Sequence, residues 1–124
     1  MQGLHLTADL HGCPAGLAPL TDVTALRMLC LAAVAEAGLL AVGELFHRFQ
    51  PASPGQLVGI TGVVLLAESH LAVHTWPEKA AVTLDVYVCN FGGDNSAKAQ
   101  RLMARLEASF APERVTRQQL LRGE

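Results

Sequence analysis

Ala81-Val82-Thr83-Leu84-Asp85-Val86-Tyr87-Val88-Cys89 is the stretch whose reading decides the fold. Val82, Leu84, Val86 and Val88 alternate with Thr83, Asp85, Tyr87 and Cys89, the two-residue period of a strand whose successive side chains point to opposite faces. One face is wholly apolar and has to be covered. The other displays an acid, a phenol and a thiol. A sheet packed on one side only is the habit of antiparallel strands.

Working outward, residues 71–76 alternate until Pro77 ends the run, and residues 56–66 are rich in Val, Ile and Leu with Gly59 and Gly62 inside, so two more strands flank Glu68-Ser69-His70. Residues 39–49 are β-compatible, and Gln50-Pro51-Ala52-Ser53-Pro54-Gly55 joins them to the next strand as a loop. Residues 4–10 alternate before His11-Gly12-Cys13-Pro14, a first strand running into a turn. A helix is expected over 22–37, where Leu26, Leu29, Cys30, Ala33, Val34 and Ala37 recur at helical steps and Gly38 supplies the stop. A second follows Gly92-Gly93, capped by Asp94 or Asn95 and carrying Ala99, Leu102, Met103, Leu106 and Phe110. A short last strand is placed near 114–120. The order predicts an α+β fold, a two-layer sandwich of a mostly antiparallel sheet with two helices on one face, as a single domain over 1–124.

Of the 124 residues, 51% are hydrophobic and 16% charged, enough to build a core. A formal net charge of -2 argues against a phosphate-binding surface, so no nucleic-acid partner is expected. Cys13, Cys30 and Cys89 form neither a CxxC pair nor a disulfide framework, which fits reduced thiols in the cytoplasm. Cys13 and Cys30 read as small buried apolar residues. The most apolar run, 24–42, is interrupted by Arg27 and Glu36, and no basic leader opens the chain, so neither a membrane span nor a signal peptide is expected.

Chemistry concentrates in Glu68-Ser69-His70-Leu71-Ala72-Val73-His74-Thr75-Trp76-Pro77-Glu78 and in Cys89. On a strand, His70 and His74 share a face but stand about 13 Å apart, too far to share one metal ion, and no metal is expected. A serine-hydrolase elbow, GxSxG, is missing around Ser69, although triads assemble in space rather than in sequence. From these residues alone, nucleophilic catalysis and an ordinary polar sheet face both stay open.

Glu68-Ser69-His70, His74-Thr75-Trp76-Pro77-Glu78 and the 85–89 strand resemble the processing site and active-site strands of the small prokaryotic S-adenosylmethionine decarboxylases. Asp9-Leu10 with Gly12-Cys13, Phe46-His47-Arg48-Phe49 and Thr61-Gly62-Val63-Val64 also fall where that family has similar segments, so the resemblance covers most of the chain. Two departures stand out: Thr61 replaces the usual serine, and the loop over 50–60 is several residues longer.

The resemblance implies a proenzyme that cuts itself between Glu68 and Ser69 into 1–68 (β chain) and 69–124 (α chain), turning Ser69 into a pyruvoyl cofactor that forms a Schiff base with S-adenosylmethionine. By the same analogy His74 is the proton acceptor in processing, Thr61 polarises the Glu68 carbonyl, and Cys89 returns a proton during decarboxylation. Glu78 would hold the ribose hydroxyls, with Phe49 and Trp76 stacked on the adenine. The product would feed polyamine synthesis, and the enzyme would be a homodimer or larger homo-oligomer with active sites between protomers. The alternatives are a same-family decarboxylase of ornithine or arginine, and a non-processing binding or dimerisation homologue. An extended strand would separate Ser69 and His74 by about 16 Å, so processing calls for a sharp bend near Ser69 or a histidine from another subunit. His5, His11 and His47 receive no role.

Overall fold

The computed structural model describes residues 2–123. In chain order the elements are β1 (Gln2–His11), α1 (Val23–Glu36), β2 (Ala41–Arg48), β3 (Ile60–Leu66), β4 (Ser69–Trp76), β5 (Ala81–Cys89), α2 (Ser96–Phe110) and β6 (Arg114–Gly123). The strands form one sheet in the order β2-β3-β4-β5-β1-β6, and every neighbouring pair is antiparallel.

Alternation dictates the layering. Leu4, Leu6, Ala8 and Leu10 of β1, Leu71 and Val73 of β4, and Val82, Leu84, Val86 and Val88 of β5 point to one side and are buried there. Leu26, Cys30, Ala33 and Val34 of α1 and Ala99, Leu102, Met103, Leu106 and Phe110 of α2 meet them in one continuous core. Each fully buried large apolar side chain contributes roughly 1.5–3 kcal/mol. Asp22 starts α1 by accepting the Thr24 and Ala25 N–H groups at 2.9 and 3.2 Å. Both helices therefore cover the same face, as the patterning predicts.

Several strand boundaries differ from the sequence reading, and three of them have a visible cause. The strand expected over 56–66 begins only at Ile60, because Ile60 N–H donates to the buried Thr75 hydroxyl at 2.9 Å instead of continuing the ladder. Gly59 sits so near the Thr75 carbonyl that a Cβ there would lie 1.9 Å from its oxygen. Strand β4 starts at Ser69 rather than at 71, since Leu66 and Ser69 pair directly across a two-residue turn. Strand β6 runs on to Gly123 because it pairs along the whole of β1.

Among the described residues, no helix covers the other side of the sheet. Leu45, Val63, Leu65 and Ala72 lie on it among His5, His70, His74, Asp85 and Tyr87, with Leu45 69% and Leu65 50% exposed. Among the described residues, no helix is long and apolar enough to cross a membrane.

Candidate active site

The β3–β4 hairpin carries reactive side chains at both ends. Its tip is the turn Ala67-Glu68, and Glu68 adopts φ 53°. A residue with a Cβ pays roughly 1–2 kcal/mol in that left-handed region. The other two described non-glycine residues with positive φ, Ala80 and Ala111, close helical turns, where such a conformation is routine. Glu68 has no helix to end, and the strained residue immediately precedes Ser69.

Ser69 is half-buried at the start of β4, and its Oγ accepts the Cys89 N–H at 3.0 Å. The Cys89 thiol in turn lies 3.7 Å from Glu68 Oε2. Cys89 is positioned from behind: Asn95 Nδ2 donates to its carbonyl at 2.9 Å, and the Asn95 N–H donates to Asn90 Oδ1 at 2.8 Å. The structure thus gathers Glu68, Ser69 and Cys89. Cys13 and Cys30 lie in the core instead, where burial raises both thiols, Cys30 to about 12, and suppresses the reactive thiolate.

At the open end of the same hairpin, Thr61 and His74 are directly paired, with Thr61 Oγ1 3.0 Å from His74 Nδ1. This contact fixes the imidazole by one nitrogen and leaves Nε2 for other work. A groove of about 560 Å³ opens beside them, lined by Phe49, Thr61, His74, Trp76 and Glu78. Phe49 is 48% and Trp76 42% exposed, so neither ring is spent on the core. The walls suit a flat aromatic base, and Glu78, in the turn after Pro77, supplies an acceptor for hydroxyl donors.

One chain does not bring the two ends together. Strand β4 is continuous from Ser69 to Trp76, with Ser69 on the side of Leu71, Val73 and Thr75 and His74 on the open side. Five residues of strand separate them by about 16 Å. The bend lies before Ser69, at the turn, and does not shorten that distance. Thr61 is likewise next to His74 and not next to the Glu68 carbonyl.

A larger groove, about 620 Å³, lies between α2 and β6, but none of these reactive residues lines it. A third polar group was missed by sequence reasoning: His5 Nε2 and His70 Nε2 both contact Asp85 Oδ1, at 2.7 and 3.2 Å. Its one sequence signal is that Asp85 lies on the polar face of its strand.

A family profile described as S-adenosylmethionine decarboxylase matches residues 4–123. The S-adenosylmethionine decarboxylase proenzyme of Aquifex aeolicus is 42% identical over 121 residues, which are 98% of this chain and 81% of that protein. The proenzyme of Archaeoglobus fulgidus is 36% identical over 121 residues, 98% of this chain and 97% of that one. The crystal structure of the Aquifex aeolicus adenosylmethionine decarboxylase superposes with a TM-score of 0.84 at 39% identity, over 98% of this chain and 91% of that chain. The Trypanosoma brucei AdoMetDC, 13% identical with a TM-score of 0.56 over 92% of this chain and 44% of that one, shares the fold.

Proposed function

The chain belongs to the S-adenosylmethionine decarboxylase family, and we propose that it makes its own catalytic ketone from Ser69 by a cut between Glu68 and Ser69. The reaction is the decarboxylation of S-adenosylmethionine, whose product donates the aminopropyl group in polyamine synthesis. Full-length relatives named for that substrate favour it over ornithine or arginine, and over a module without activity.

The observation that carries the processing reading is the left-handed Glu68, a strained residue whose carbonyl the Ser69 hydroxyl can reach within its own peptide unit. Attack of Ser69 Oγ on the Glu68 carbonyl carbon transfers the acyl group from nitrogen to oxygen and frees the Ser69 amine. Loss of the Ser69 α-proton then expels residue 68 as a carboxylate and leaves a dehydroalanine at the head of 69–124. One water replaces its nitrogen, ammonia leaves, and the pyruvoyl group results. The Cys89 N–H on Ser69 Oγ holds the nucleophile in place, which supports a fit between this tip and the group it would carry.

Once formed, the pyruvoyl group supplies an electron sink for the substrate's α-carbon, which no side chain can provide. Residues from both ends of the hairpin bind the substrate and move protons. Cys89 Sγ, beside the tip, donates the proton that replaces carbon dioxide. Phe49 and Trp76 take the adenine between them, and Glu78 accepts from the ribose hydroxyls.

The Thr61–His74 pair reaches a processing tip from a second copy. In a two-fold interface residue i meets residue j and j meets i, so a dimer built through the open faces places each chain's His74 end over the other's hairpin tip, where Cys89 shares the open face and the turn at Glu68 leaves the Glu68–Ser69 peptide accessible. The exposed Leu45 and Leu65, with Val63 and Ala72, supply the apolar contact for such a homodimer. Three free thiols suit a reducing, cytoplasmic setting.

Intact-mass spectrometry of the purified protein with a Ser69→Ala control tests the reading. Two pieces, 1–68 and a 69–124 fragment blocked by a pyruvoyl group, are expected from the parent chain and neither from the control. An uncut parent chain, or a cut that survives Ser69→Ala, would overturn it.

A further inference from the structure

We infer that the open face of the sheet carries a divalent metal site of the zinc type, built from His5 Nε2, His70 Nε2 and Asp85 Oδ1. Among the described residues this is the one trio of histidine, cysteine or acid side chains whose ligand atoms all lie within 4.8 Å of one another. Along β4, His70 has no usable partner in His74. Across the sheet its partner is His5, with β5 and Asp85 between them.

The geometry is close to a metal cage. Asp85 Oδ1 is 2.7 Å from His5 Nε2 and 3.2 Å from His70 Nε2. A tetrahedral ion with bonds of about 2.0–2.1 Å holds its ligands about 3.3 Å apart, so the two contacts to Asp85 need to open by at most about 0.6 Å. Two imidazoles and one carboxylate form a familiar three-ligand set for zinc and its neighbours, with a fourth position left for water or a group from outside. In the single chain the three side chains are partly exposed, at 21%, 40% and 38% for His5, His70 and Asp85, so an ion can bind before two open faces pair.

The imidazoles are also held in place. Tyr87 stands directly opposite both His5 and His70 in the strand pairing, with its ring 6.0 and 5.8 Å from theirs. Gly3 makes room for the phenol, since a Cβ there would lie 2.4 Å from its oxygen. The ring therefore leans toward Gly3 and walls one side of the cluster, which leaves the imidazoles facing Asp85. The guanidinium of Arg122 sits against Tyr87, 5.5 Å from the ring centre. To bind, each imidazole presents a bare Nε2, its proton moved to Nδ1 or released to water.

The ion would tie β1 to β4 through β5. A consequence follows that rests on the processing reading: His5 lies in 1–68, whereas His70 and Asp85 lie in 69–124, so the ion would cross-link the two pieces after the cut. Metal binding itself does not depend on the cut, and Ser69→Ala separates the two.

The test is titration of metal-stripped protein with Zn(II) by calorimetry, and with Co(II) by visible absorption, on the parent chain, Ser69→Ala, His5→Gln, Asp85→Asn and, as a control, His47→Gln. One ion per chain is expected, with a tetrahedral Co(II) spectrum, in the parent, Ser69→Ala and His47→Gln chains alike. His5→Gln and Asp85→Asn should each weaken binding by more than the roughly 10–100-fold that loss of an outer-shell partner costs. Zn(II) should raise the melting temperature of the chains that bind and not of the two ligand variants. If one ligand variant fails to fold, by circular dichroism, the other decides. Absence of saturable binding in the parent chain, or unchanged affinity in a folded ligand variant, would overturn the site whatever the outcome for cleavage.

Discussion

The two ends of the β3–β4 hairpin are built on opposite principles. The tip is strained: Glu68 holds a left-handed conformation in a two-residue turn, next to the hydroxyl that would attack it. The open end is anchored: the buried Thr75 hydroxyl accepts from Ile60 N–H at 2.9 Å and donates to the Leu20 carbonyl at 2.8 Å, tying β3, β4 and the turn before α1 together. The end proposed to change covalently stores strain, and the end proposed to bind substrate is fixed by satisfied buried groups. The contrast teaches that one supersecondary unit can serve two purposes when its ends share a strand but not a face.

The sharpest way to break this division is Cys89→Ser. The backbone N–H that holds Ser69 Oγ survives the change, so cleavage continues by intact mass, while turnover of the cut enzyme falls by about 10²–10⁴-fold, the usual worth of a positioned proton donor. Loss of cleavage together with turnover would mean that the thiol serves both steps.

Next in size is Thr75→Val, which keeps the shape and removes the hydroxyl. It leaves Ile60 N–H and the Leu20 carbonyl without their partner, at roughly 1–3 kcal/mol for each buried group. A stability loss of about 2–4 kcal/mol is expected in urea unfolding, measured in the Ser69→Ala background so that the chain stays whole. A loss under about 0.5 kcal/mol would show that the open end is not anchored in this way.

Trp76→Ala is the smallest effect and sharpens the comparison. The side chain is 42% exposed, so stability changes little. Loss of its stacking, worth roughly 1–1.5 kcal/mol, raises KM for S-adenosylmethionine about tenfold, with kcat and cleavage near the parent values. A change in cleavage instead would place Trp76 with the processing machinery.

Much of this layout is legible in the chain itself. The alternation at 81–89 carries the layering, and the helical steps from Leu26 to Ala37 and from Ala99 to Phe110 carry the covering layer, because both are local periodicities. The resemblance carried by Glu68-Ser69-His70 and His74-Thr75-Trp76-Pro77-Glu78 points to the family. What escapes is long-range. The late start of β3 depends on Thr75, fifteen residues further on, and the His5–Asp85 contact joins positions eighty apart. The grip of Cys89 on Ser69 spans twenty residues. The separation of Ser69 from His74 onto opposite faces follows from their odd spacing, but only once β4 is known to begin at Ser69.

The most direct test of the central claim, that the tip of one chain works with the open end of another, is complementation of cleavage. Ser69→Ala and His74→Ala chains, distinguishable by mass, are expressed separately and together, and the His74→Ala chain is followed by intact mass. Neither variant should be cut when alone, and the His74→Ala chain should be cut between Glu68 and Ser69 when the Ser69→Ala chain supplies its intact His74. A His74→Ala chain that stays whole in the mixed assembly, or that cuts itself when alone, would contradict the account.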